Sequence, residues 1–377
     1  MSFNQYTWDL YKQTTIGIEM IKYFSDAGGY VLFKDYCPYA NFIPEDLYND
    51  WLENIYCYGV SDYDHPSSLE EAKDLYISLI TLGIRVEGQQ WLPANDFKNM
   101  LGIIQPMSYV LSQFAPEYFF PYLFLCRIFE LNKIADFFNI DLPNIPKRTD
   151  YKGRCMYYWE LCEVFYLFRK ENGLSPADLW SFLYDFAPNN LPSEKIDMPK
   201  PSQVWFIGGR LYQEDKSLES KFWQSSPETK KGDILVHYET SPISAITCIE
   251  ISLTDGVIDP LFRYYGCIYI GNRINIPHIT LKELQTDEYF FKHPLVRKNF
   301  QGVNGWSVNS ENYSELLRMI KTKGFDIEVL PKLYAPTLPK DVIIEYEHDV
   351  EQQLLEPLLN SMGWYENKDL SLIHISE

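Results

Sequence analysis

The chain has 377 residues, 46% hydrophobic and 16% aromatic, with 29 Tyr and 9 Trp, which excludes a disordered or fibrous polypeptide and suits about two folded units plus part of a third. A formal charge of -19 argues against indiscriminate binding to phosphate backbones, which needs Lys and Arg. The seven Cys include no C-x-x-C pair and sit mostly in apolar patterns, so neither a zinc site nor a disulfide framework is expected, and the thiols read as the reduced thiols of a cytoplasmic protein.

The opening MSFNQYTWDLYKQ carries no basic n-region or apolar h-region, and no run reaches about 18 uninterrupted apolar residues, so no membrane partner is expected. Residues 1–195 read as a helical domain. Ser68-Leu69-Glu70-Glu71 has capping-box spacing ahead of LYISLITLGI, and Ser175-Pro176-Ala177-Asp178 sets a cap, a proline and an acid at a second helix start. Between them, PEYFFPYLFLCRIFELNKIADFF and YYWELCEVFYLFRK are long apolar stretches separated by LPNIPKR.

A boundary follows at APNNLPSEKIDMPKPSQ, after which the apolar runs shorten to strand length: VWFIG from Val204, DILVHY from Asp233, AITCIEIS from Ala245 and GCIYIG from Gly266. Helical stretches intervene at Thr280-Leu281-Lys282-Glu283 and at SENYSELLRMIKTKG. Strands with inserted helices and no βαβ alternation predict a small mixed barrel over 200–332, giving an α+β chain overall. The charge is uneven. Residues 1–199 hold 15 basic and 27 acidic groups, 200–332 hold 16 of each, and 333–377 hold 2 and 9, so the barrel is neutral and the acidity belongs to its flanks. From Pro339, DVIIEYEHDVEQQLLEPLLNSMGW aligns Leu354, Leu355, Leu358 and Leu359 on one face of an amphipathic helix.

The order of VWFIGG, FWQSSPETKKGDILVHYETSP, Asp259-Pro260, NIPHITLKEL and HPLVRKNFQGVNGWSVNSENYSELL resembles the EVE domain, a PUA-like barrel related to YTH domains, over some 130 residues. The resemblance implies a reader of modified bases that holds a flipped base on aromatic side chains, where stacking supplies affinity and shaped walls sense an added methyl. By position it implies a base pocket of Trp205, Trp223, Tyr238, Ser244, Asp259 and Trp306, with Lys230, Lys231, Arg297 and Lys298 near phosphate. The same aromatics fit a barrel core, and Asp259 before Pro260 fits a turn. A cage requires Trp205, Trp223 and Tyr238 to converge on a partly open pocket. His237 is expected on the surface, because alternation puts either it or Tyr238 outside.

EYEHDVEQQLLEPLLNSMGW (part of 339–369) resembles the first helix of the PD-(D/E)XK nuclease domain of type I restriction subunits, in which Glu351 would join a Mg2+ site whose other ligands come from later strands. The chain itself is expected to carry no cofactor and no complete catalytic motif. The closing LSLIHISE (370–377) resembles translated adapter sequence and is expected to be non-native. Walker, dinucleotide, serine-hydrolase and HExxH motifs are absent, and the six His show no metal spacing. The expectation is the sensor part of a modification-dependent restriction endonuclease acting in defence, binding modified DNA. An RNA-binding module without catalysis and an interaction scaffold are the alternatives.

Overall fold

The computed structural model describes residues 3–37, 40, 43–86, 90–192, 198–210, 220–334, 344 and 346–361; residues 362–369 and the octet 370–377 lie outside the described residues. The fold is α+β, with a helical region preceding a curled, mixed, half-barrel sheet. Two compact units form: Met1–Glu194 together with Val257–Tyr265, and Lys195–Gly256 together with Gly266–Glu377. No helix of the described residues is long and apolar enough to cross a membrane.

The first unit is built on helices that bury Trp8, Trp159, Tyr48, Tyr76, Tyr122, Tyr157 and Tyr158. Both capped starts form helices, at Leu69–Leu82 and Pro176–Ser181. The second has the full reciprocal box, whereas the Glu71 carboxylate reaches past Ser68 to accept from the N–H and hydroxyl of Ser67. The apolar run from Pro116 is helical only over Ile128–Phe138. Before that it is irregular yet buried at Phe119, Phe120, Tyr122, Leu123 and Phe124. Pro116 and Pro121 interrupt helix formation there. Side chains replace the missing ladder: Ser108 Oγ accepts from Tyr122 N–H (2.8 Å), and the Tyr158 hydroxyl donates to the Phe120 carbonyl (2.7 Å).

The second unit holds strands β1 (Val204–Gly209), β2 (Ser220–Gln224), β3 (Ile234–Glu239), β4 (Ala245–Ser252), β5 (Gly266–Thr280) and β6 (Trp306–Val308). Along the sheet they lie in the order β2-β5-β4-β3-β1-β6. The β1/β3 pair is parallel, and the other neighbours are antiparallel. β5 runs through NRINIPHIT, far beyond the expected GCIYIG, with register shifts against β4. β2 and β6 are strands that the sequence pattern does not announce.

Alternation along β1 and β3 sorts side chains onto two faces. Val204, Phe206, Ile234, Val236 and Tyr238 pack with Leu284, Leu295, Phe300, Tyr313 and Leu316 from the helical insertions, which include Leu281–Thr286 and Ser310–Thr322. Trp205, Ile207 and Leu235 pack on the other face with Ile268, Ile270 and the half-buried Trp223. Both faces are covered, so β1 and β3 read as continuous apolar runs.

Candidate functional site

Curling brings the two ends of the sheet together on the Trp205 face, and Asn304, just before β6, fastens them. Its Oδ1 accepts from Gly208 N–H of β1 (2.8 Å) and from the Trp223 indole N–H of β2 (3.2 Å). Its amide nitrogen donates to Gln224 Oε1 (3.4 Å). Two donors on one atom identify that atom as the oxygen. Gly209 leaves room for the indole, since a Cβ there would lie 2.5 Å from Trp223 Cζ2.

Trp223 covers His237, with ring centroids 4.7 Å apart in an edge-on arrangement. His237 is fully buried, 0% exposed, which corrects the expectation of a surface histidine: the sheet is covered on both faces, so alternation exposes neither residue. Its Nδ1 lies 3.0 Å from Glu250 Oε2, and Glu250 is itself 2% exposed. Arg273 holds the other carboxylate oxygen through Nε (2.8 Å) and Nη2 (2.7 Å), with 28% of its side chain exposed. Burial pushes the Glu250 carboxyl upward, but the hydrogen bonds from His237 and Arg273 and the Arg273 charge outweigh it and hold the group below the ordinary glutamate value. His237 Nε2 is buried with no partner.

Cys248 completes the one group of three potential metal ligands among the described residues, with ligand atoms of His237, Cys248 and Glu250 within 4.8 Å of one another. Burial raises the Cys248 thiol to about 12, so the thiolate a soft metal requires is disfavoured. Glu250 is already committed to His237 and Arg273. The donor set therefore reads as a hydrogen-bonded charge network with one open nitrogen.

The expected cage does not assemble as Trp205, Trp223 and Tyr238. Trp205 is 3% exposed and donates its indole N–H to Asp233 Oδ2 (2.8 Å), making it core with a satisfied polar tip. Burial raises the Asp233 carboxyl to about 6, against the pull of the N–H groups it accepts. Tyr238 is on the helix-packed face, stacked on Phe300 with centroids 4.0 Å apart and planes 3° apart, and burial pushes its phenol upward, with Ser244 acting in the opposite direction. Trp306 is half-buried on the same face, its ring 6.5 Å from His293. Among the expected aromatics, Trp223 is the one packed on a buried polar group that lacks a partner.

Asp259 belongs to the first unit. It is fully buried and accepts from the N–H groups of Cys126 (2.8 Å), Leu261 (3.0 Å) and Phe262 (3.2 Å), which corrects its assignment to a base pocket in favour of the turn. Lys230 and Lys231 form the turn before β3, their backbone N–H groups bonded to Asp233 and Asp255. Gly232 at φ +92 makes that turn possible, because a Cβ would lie 2.6 Å from the Pro199 carbonyl oxygen. Arg297 and Lys298 are exposed at the end of the helix Pro294–Arg297. Glu351 lies in the described helical segment Glu347–Ser361, 3.8 Å from His348 Nδ1, and no further carboxylate joins it in a metal-ligand cluster among the described residues.

A concavity lies within the helical unit, about 350 Å³ in volume, lined by Leu52, Tyr56, His65, Tyr109, Gln113 and Phe114, with His65 stacked on Phe114 (4.1 Å). It contains no buried charge to orient a ligand. The sequence reading missed Glu250, Arg273 and Asn304. The available signals were a charged residue at each of two strand-like positions and the Asn-Gly turn of GVNGW.

No family model and no curated protein matches the chain. Among solved structures, a Rhodopseudomonas palustris protein determined by NMR is 14% identical over 32% of this chain and 94% of its own, with a TM-score of 0.28. A hypothetical protein from Leishmania major is 11% identical over 33% and 98%, also with a TM-score of 0.28.

Proposed function

We propose that the second unit is a PUA-like, EVE-type reader of a single nucleic-acid base, a modified base in DNA, acting as the sensor of a restriction-type defence protein in the cytoplasm. One observation carries this reading: the half-buried indole of Trp223 borders a buried imidazole whose Nε2 has no partner. A base stacked on Trp223 gains the π-contact that sequence-tolerant readers use, and turning its edge toward His237 satisfies the orphaned nitrogen. This recognition replaces the three-aromatic cage with one aromatic wall and a polar floor. Lys230 and Lys231, in the turn that holds Asp233 against Trp205, supply phosphate contacts. Under this reading, cleavage belongs to a Mg2+-dependent nuclease domain to which Glu351 contributes.

The test is a titration of the whole chain, at fixed salt, with short duplexes that differ in one modified cytosine, alongside Trp223→Ala. Preference for the modified duplex that disappears in the variant is the expected result. Equal affinity for all duplexes, with tight binding to unmodified RNA, would replace this reading with RNA binding. No binding to any nucleic acid would leave a scaffold.

A further inference from the structure

This inference rests on the base-reading function proposed above and assigns its chemical selectivity. We infer that His237 is the specificity-determining residue of the site and that its Nε2 lone pair selects a base presenting an exocyclic amino group, of the cytosine or adenine class, over a keto counterpart.

The proton inventory points this way. Arg273 sets two N–H donors on Glu250 Oε1, the contact of an ionised carboxylate, and such a carboxylate only accepts, so the 3.0 Å contact requires a proton on His237 Nδ1. Arg273 grips Glu250 Oε1 from the opposite side with two of its nitrogens, so the carboxylate cannot turn away and release the imidazole. In a neutral imidazole, a proton held on Nδ1 leaves a bare lone pair at Nε2. The nearby Cys248 and Trp223 make no hydrogen bond to it, and Trp223 spends its only N–H on Asn304. A keto oxygen set there would face a lone pair and leave both atoms unsatisfied in a buried place. An amino group donates one hydrogen to Nε2 and keeps its second for another acceptor. Discrimination is strong when a site is built to hydrogen-bond a group that the competitor lacks.

The experiment uses the whole chain and two single strands identical except for one central base, 5-methylcytosine in one and thymine in the other. Both bases carry the same methyl group, so the stacking surfaces are matched, and the amino-to-keto exchange with its ring proton distinguishes them. The strand with the amino group is expected to bind about tenfold tighter or more. His237→Gln should keep the preference, because its carboxamide N–H replaces Nδ1–H toward Glu250 while its oxygen takes the acceptor place. His237→Met, which fills the space without an acceptor, should bind both strands alike, and thermal melting establishes that each variant is folded. Should His237→Met fail to fold, the wild-type pair and His237→Gln decide. Ribose versions of both strands show whether the base is taken from DNA or RNA.

Equal wild-type affinities, or a preference that survives in His237→Met, overturn the inference. If the strands bind alike but Trp223→Ala abolishes binding, the base-reading function stands and this selectivity alone falls. If neither strand binds, and the modified duplex fails as well, both fall together.

Discussion

Two buried ionic clusters, one in each unit, solve the same physical problem differently. In the helical unit, Arg154 is 1% exposed and spends its guanidinium on carbonyl groups: Nε on Pro260 (2.8 Å), Nη2 on Phe262 (2.6 Å) and Nη1 on Arg148 (3.0 Å). Asp259 in the same segment takes three backbone N–H groups. The segment Val257–Tyr265 is thereby clasped by a cation and an anion that both turn to the backbone. In the sheet unit, Glu250 is likewise saturated by His237 and Arg273, but His237 Nε2 is left without a partner. Saturated buried charge serves folding; under the proposed function, the incomplete cluster keeps one nitrogen for a ligand to satisfy.

The largest losses are expected at the two cations. Arg154→Ala should destabilise the helical unit by about 3–5 kcal/mol, since it leaves the clasped carbonyls without their donor; Arg273→Ala, whose side chain is partly solvated, should lose about 1–2 kcal/mol. Denaturant unfolding of the whole chain measures both, and equal losses would erase the distinction between the clusters.

Acid should separate the two clusters, because the two carboxylates respond with opposite sign. Burial raises Asp259 to about 6 from an ordinary 3.8, so the folded state binds more protons than the unfolded one in that window and stability falls as pH rises through it, by about 3 kcal/mol in all. Asp259→Asn should remove this dependence. Glu250 is lowered from 4.5, so the stability it contributes is present above that value and is lost as pH falls through its lower folded pKa. Unfolding midpoints between about pH 7 and pH 3, for wild type, Asp259→Asn and Glu250→Gln, separate the two contributions.

A smaller effect is expected at Asn304. Asn304→Ala frees the Gly208 and Trp223 N–H groups and should lower stability by about 1–2 kcal/mol, with Trp223 fluorescence reporting the indole released from its clip. Smallest of all, Lys230→Gln with Lys231→Gln should leave the fold intact and reduce the salt dependence of nucleic-acid binding by about one unit of slope for each phosphate no longer neutralised. An unchanged slope would remove those lysines from the interface.

Much of the fold was legible residue by residue. Ser175 and Asp178, Thr280 and Glu283, and the Asn309 cap of Ser310–Thr322 sit where cap chemistry puts helix starts, because orphan N–H groups must be satisfied locally. The core strands around Val204, Ile234 and Ala245 follow from short β-branched runs. β2 and β6 were hidden because they are short edge strands whose pairing partners are distant in sequence, Trp223 facing Ile268 and Trp306 facing Phe206. The irregular run through Phe119 to Phe124 looked helical because an apolar stretch carries no period of its own, and its polar backbone is satisfied by Ser108, Tyr158 and Tyr184 from far along the chain.

The site divides in the same way. That Trp223 and His237 were worth watching follows from residue chemistry. Their meeting, the exclusion of Tyr238 to the opposite face and the capture of Asp259 by the helical unit depend on strand order, on curl and on which backbone groups need partners. Composition, capping and short-range pattern determine elements because those energies act within a few residues. Only the tertiary structure decides which buried charge finds all its partners and which keeps one polar atom unmatched, because that is settled by contacts between residues that the sequence holds apart.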